Sequence, residues 1–227
     1  MNTIAQTNDL ARTNDNEFYA FKFWYVFFAY AVMYVLLTFL ANRYVYTSEF
    51  YYALFQNTLD SGRIEQLIQR NQRFQWVGYF VQPLFLLFRC SIFASVLFAG
   101  LLLSRESLSF GKCLRIVIIA DGIALIVTLI RTAWFILRPS SSPLDFQTFY
   151  PLSIVQLLDI HKIPRYLIYP LQQINLFEVC YWILLAFGIR TLTGRKWAQS
   201  FSVVAATYGI SMLIWILAVV FITLQFS

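Results

Sequence analysis

Four ionisable side chains stand inside otherwise apolar stretches of this sequence: Arg89, Asp121, Arg131 and Glu178. Two are positive and two negative, and each is costly in hydrocarbon unless paired or hydrated. On a helix the step from Asp121 to Arg131 leaves the two roughly 80° apart, on one side of the cylinder. Depth along antiparallel helices sets Arg131 with Glu178 as the first expected pair and Arg89 with Asp121 as the second. The chemistry open to such a set is a proton or ion relay, or a polar substrate pocket; the alternative is two salt bridges that fix how the helices assemble. Two balanced pairs leave no spare carboxylate, which favours the structural alternative, because a carrier needs an unpaired titratable group. The first pairing predicts that Glu178→Gln strands Arg131 and lowers expression or folding.

Other chemistry finds little support. His161 is the single histidine, and no His-Glu-x-x-His or Cys-x-x-Cys constellation accompanies it. Gly-x-Ser-x-Gly, Walker and dinucleotide signatures are also missing, so neither nucleophilic hydrolysis nor nucleotide chemistry has a motif behind it. Cys90 and Cys180 fall inside apolar runs and Cys113 at the edge of another, which gives no disulfide framework and no metal-ligand spacing. The expectation is a protein without catalytic, cofactor-binding or metal-ligating residues. A dispersed Ser, Cys and His site of the intramembrane-enzyme kind stays as a remote alternative.

The elements that hold these charges are membrane spans. Hydrophobic residues make up 59% of the 227 and charged residues only 12%, against roughly a quarter charged in soluble domains. Five stretches reach the length of about 20 apolar residues that a helix needs to cross a bilayer: Phe23 to Ala41, Trp76 to Leu103, Cys113 to Leu137, Ile174 to Leu192, and Phe201 to Leu224. The predicted organisation is a polar N-terminal tail, 1–22, and a single all-α membrane domain, 23–227. The first span, 19 residues long behind a polar tail, is expected to remain as an anchor. Phe23, Trp24, Tyr25, Trp76, Trp134 and Trp197 lie near span ends and suit an aromatic belt.

Charge distribution predicts which way the chain faces. The net charge is +6, with 17 Lys and Arg residues scattered between spans rather than gathered into a nucleic-acid patch, so lipid headgroups are the expected partner. Arg12, Lys22, Arg105, Lys112, Arg115, Arg190, Arg195 and Lys196 would share one side, nearly all close to span ends. That side is expected to be cytoplasmic, with the C-terminus outside, and the short-looped form suggests a bacterial inner membrane.

Two longer loops then face outward. Arg63 to Gln75 sets Ile64, Leu67 and Ile68 on one face against Arg63, Gln66, Arg70 and Arg73, the pattern of a helix lying in the interface or of an ordinary amphipathic connector. Pro139 to Gln173 alternates prolines with apolar patches and predicts two short surface helices, with Pro164 near the first turn of the second. Small residues at Ser91, Ser95 and Ala99, and at Ala205 and Gly209, predict where helices approach closely.

The run Ile174-Asn175-Leu176-Phe177-Glu178-Val179, then Trp182, then Leu184-Leu185-Ala186-Phe187-Gly188-Ile189, resembles the Yip family of Rab-GTPase-interacting membrane proteins in its bacterial-type members. The basic turn Thr193-Gly194-Arg195-Lys196-Trp197-Ala198 before the last helix is similar to the family's as well. The long cytoplasmic N-terminal region and the Asp-Leu-Tyr-Gly-Pro phrase of the eukaryotic members are missing, so a vesicle-trafficking role is not carried over. The resemblance implies five spans and an organising or adaptor role, with no catalytic residues to transfer. The leading expectation is thus a non-enzymatic membrane protein that binds another membrane protein or lipids. The alternative is a small transporter or transport-complex subunit using the four intramembrane charges.

Overall fold

The computed structural model describes residues 2–225 apart from 57, 106–107, 139–144 and 146–147. The side chains of 2–22 and of 161 also lie outside it, so Arg12, Lys22, His161 and Pro139 receive no structural account. Among the described residues the regular structure is helical, with one isolated antiparallel bridge between Ser153 and Asn175. The helices are α1 (Asn2–Tyr44), α2 (Ser48–Phe55), α3 (Ser61–Leu103), α4 (Phe110–Ala120), α5 (Gly122–Leu137), α6 (Arg165–Gln173), α7 (Leu176–Thr193), α8 (Trp197–Val204) and α9 (Ile210–Gln225). The backbone of the polar stretch 2–22 continues the first span as helix.

Five stretches are long and apolar enough to cross a membrane: Phe23–Tyr44, Ser61–Leu103, Phe110–Leu137, Leu176–Thr193 and Trp197–Gln225. The chain is an all-α polytopic bundle. Asp121 separates α4 from α5 without breaking the span, because its own N–H still bonds Val117 O at 2.9 Å and its carbonyl accepts from Leu125 N at 3.1 Å. Short connections join α3 to α4 and α7 to α8 at one end, hereafter the short-loop end. The longer connections, 45–60 and 138–175, lie at the other.

The core shows the helical period that binds the bundle. Cys90, Ala94, Leu97 and Leu101 of α3 meet Cys113, Val117 and Ile118 of α4 and Leu185, Ala186 and Ile189 of α7, all fully or nearly buried. Large apolar side chains such as Phe80, Phe88, Leu103, Leu137 and Leu217 point outward, the reverse of a water-soluble surface and the arrangement a bilayer solvates. Without a hydrophobic driving force between helices in lipid, close steric fit holds the spans together. Gly100 of α3 is such a fit: a Cβ there would stand 1.8 Å from Thr207 Cγ2.

Between α8 and α9 the last span widens into one π turn, Ala205–Gly209. Such a turn inserts an extra residue and re-aims the helix beyond it. Here the turn sets Thr207 against Gly100 and points Tyr208 into the bundle, where it meets Phe93 at 5.3 Å and Tyr181 at 5.2 Å between ring centroids.

The amphipathic run 63–75 is not a separate interfacial helix. It forms the opening turns of α3, which runs unbroken through Pro83 to Leu103. Its apolar face closes on α2: Ile64 and Ile68 are buried, and Asn71 Nδ2 donates to Tyr51 Oη at 2.7 Å. The helix α2 supplies the cover that an interfacial helix would have taken from lipid. In the second long connection the first expected helix is instead two single 3-10 turns, Ile154–Leu157 and Ile160–Lys162. The second forms as α6, with Pro164 as its N-cap.

Candidate functional site

Asn175 places the first functional group. Its side-chain oxygen accepts from Glu178 N at 2.8 Å and its amide donates to Gln172 O and Gln173 O, so α7 begins on a complete polar cap. The preceding loop is pinned alongside it, since Ile154 N bonds Ile174 O at 3.0 Å and Leu176 N bonds Leu152 O at 3.2 Å. With the start of α7 fixed, Glu178 projects into the bundle and its Oε1 accepts from Trp182 Nε1 at 2.8 Å, one turn on. The Tyr208 hydroxyl lies beside the same carboxylate.

Deeper in the bundle, Arg89 and Asp121 form the second expected pair. Arg89 Nη2 meets Asp121 Oδ1 at 2.5 Å and donates to the Tyr34 hydroxyl at 3.2 Å; that hydroxyl donates in turn to Asp121 Oδ2 at 3.2 Å. Three spans, α1, α3 and α4–α5, are thus joined by one triad, and Asp121 is almost fully buried within it. The Arg89 guanidinium also lies over the Tyr34 ring, 5.8 Å from its centroid. Gly122, next in sequence, gives room to α1: a Cβ there would stand 2.6 Å from the Tyr30 hydroxyl.

The first expected pair does not form. Among the described residues no ion pair joins Arg131 to Glu178. Arg131 lies in a separate chamber flanked by Tyr46 and Tyr150, while Glu178 turns to Trp182 and Tyr208. Depth alone put both toward the same end of the bundle; rotation about the helix axes separates them.

Glu178, Arg89 and Asp121 line one cavity of about 170 Å³, with Phe93, Tyr150, Tyr181 and Tyr208 among its walls. A second cavity of about 310 Å³ holds Arg131, Tyr46 and Thr132 and shares Arg89 and Tyr150 with the first. Tyr150 stands between the two. Its position is set by Phe149, which stacks on Trp134 at 4.9 Å and 9° and meets Phe135 edge-on, and by Ser153, whose hydroxyl donates to Tyr150 O at 2.7 Å. Burial pushes the phenols of Tyr46 and Tyr150 above the ordinary tyrosine range, so both stay protonated and able to donate. The Tyr181 hydroxyl, buried at the wall of the first cavity, has no hydrogen-bond partner among the described residues, and neither has Arg89 Nε.

The small residues divide. Gly209 is buried, and a Cβ on it would stand 2.8 Å from Trp182 Cη2, so its close approach is internal to the chain. Ala205 belongs to the same π turn and is half-buried. Ser95 and Ala99 are exposed and Ser91 half-exposed, while the buried face of α3 runs through Cys90, Ala94, Leu97 and Gly100 instead.

The residues that sequence reasoning missed are tyrosines. Tyr34, Tyr181 and Tyr208 lie within spans rather than at their ends, and a phenol in hydrocarbon needs a partner for its hydroxyl. That position was the available signal, hidden by the 14 tyrosines of an aromatic-rich chain. Comparison of the chain with protein-family models, with curated proteins and with solved structures finds no match.

Proposed function

We propose that this chain is a non-enzymatic, ligand-binding membrane protein: a small transporter or transport-complex subunit that works through its intramembrane charges. The observation that carries the reading is the cavity shared by Arg89, Asp121 and Glu178. Protein interiors close around structural groups at crystal-like density, and a salt bridge that served assembly alone needs no room beside it. Open volume lined by carboxylate, guanidinium and phenol is instead a place for water or a polar ligand. One carboxylate, Glu178, lacks a basic partner among the described residues, which supplies the spare titratable group that a carrier requires.

The test is reconstitution of the full chain in liposomes under imposed ion and pH gradients. Charge-dependent flux that disappears in Glu178→Gln is the expected result. Silence under every gradient would remove the transport reading.

A second reading, an organising or adaptor protein of the Yip type in a bacterial inner membrane, draws on the stripe Ser91, Ser95 and Ala99. Ser95 and Ala99 face away from the bundle, and the stripe's spacing lets a partner helix approach closely. Its test is affinity purification in mild detergent followed by mass spectrometry, comparing wild type with Ser95→Leu. A stoichiometric membrane partner lost only in the variant is the expected result. Gly209 is unsuitable for that comparison because it holds Trp182 in place.

A further inference from the structure

The geometry points to a small ammonium-type cation as the ligand of the Glu178 cavity, held by the carboxylate and bordered by the rings of Phe93, Tyr181 and Tyr208. This inference rests on the ligand-binding reading above and names the chemistry of the ligand.

Charge comes first. Three ionisable groups reach the cavity, and two of them, Arg89 and Asp121, pair with each other at 2.5 Å. Glu178 has no basic partner among the described residues, so an ionised carboxylate leaves the cavity one negative charge in excess. An uncompensated charge in this environment is costly, and a cationic ligand removes that cost. The indole N–H of Trp182 bonds Oε1 and fixes the carboxylate without neutralising it.

The walls make the choice narrower. Tyr208 is the hub of an aromatic cluster, with Phe93 at 5.3 Å and 74°, Tyr181 at 5.2 Å and 49°, and Trp182 at 6.0 Å and 89°. Ring faces attract ammonium groups through their quadrupole, and a cation in contact with several rings beside one carboxylate gains from both. Tyr181 adds an independent sign of a missing partner, since it is only 6% exposed and its hydroxyl is unbonded among the described residues. Size agrees as well: about 170 Å³ holds several water molecules, at roughly 30 Å³ each, and therefore an organic ion of a few heavy atoms.

The experiment measures radiolabelled methylammonium bound by the purified full chain in detergent, with sodium chloride at equal ionic strength as the control and labelled acetate as the anionic counterpart. Saturable methylammonium binding is expected, weakened by about tenfold or more in Glu178→Gln and severalfold in Phe93→Leu. Thermal unfolding of each variant checks that it is folded. Glu178→Gln keeps an oxygen for the Trp182 bond, and Phe93→Leu leaves the carboxylate intact, so at least one variant reports on a folded cavity. Equal methylammonium binding by wild type and a folded Glu178→Gln would overturn the assignment. Acetate binding without methylammonium binding would overturn the cation and leave the ligand-binding reading standing; binding of neither ion would remove both.

Discussion

Moving Arg89 from water into the bundle carries a desolvation cost of several kcal/mol, which the Asp121 carboxylate and the Tyr34 hydroxyl offset together. Asp121→Asn leaves the guanidinium without its counter-charge and is expected to destabilise the protein by about 3 kcal/mol, read as a lowered unfolding temperature in detergent. The double variant Arg89→Met, Asp121→Leu removes both charges and should recover most of that loss; failure to recover would mean that the triad holds the spans by more than charge. Glu178 behaves differently. Its contacts are a cap, an indole and the Tyr208 phenol, not a cation, so Glu178→Gln should change stability by about 1 kcal/mol or less. A collapse of expression in that variant would restore the Arg131 pairing that the structure does not show.

At the scale of elements, the π turn Ala205–Gly209 couples the last span to α3 through Thr207 against Gly100 and Tyr208 against Phe93. A methyl group at position 100 would collide with Thr207 Cγ2, so Gly100→Ala should cost about 1–3 kcal/mol, the usual range for overpacking. Adding Thr207→Ser deletes Cγ2 but keeps the hydroxyl that donates to Val203 O at 2.7 Å, and should return most of the stability. Additive losses in the double variant would count against this contact. The five spans were legible because hydrophobic length is a property of each segment alone. The Arg89–Asp121 pair was legible because both lie near mid-depth on their spans. The π turn was not, since nothing in Ala205-Ala206-Thr207-Tyr208-Gly209 marks an extra residue per turn, and the run 63–75 left an interfacial helix and an amphipathic connector both open because its apolar face is covered by α2, a partner that periodicity cannot name. The missed Arg131–Glu178 separation has the same origin: depth follows from residue count, but rotation follows from packing.

For the molecule as a whole, basic residues sit differently at the two ends. At the long-loop end Arg63 lies roughly 20 Å along α3 from Trp76. At the short-loop end, Arg105, Lys112, Arg190, Arg195 and Lys196 all stand within about two turns of a span end. Arg195 is tied there by Nη2 donating to Ser104 O at 3.0 Å, and Gly194 at φ 71° makes the tight turn that gathers the basic residues. That density of basic residues beside span ends predicts a cytoplasmic short-loop end. Single cysteines at the exposed positions Ser109 and Lys162, each in a background where Cys90, Cys113 and Cys180 are replaced by Ala, mark the two ends. In intact cells a membrane-impermeant maleimide should label Lys162→Cys and spare Ser109→Cys until the cells are opened. The reverse pattern would put the long connections, with Tyr150 and the cap of α7 at Asn175, on the cytoplasmic side.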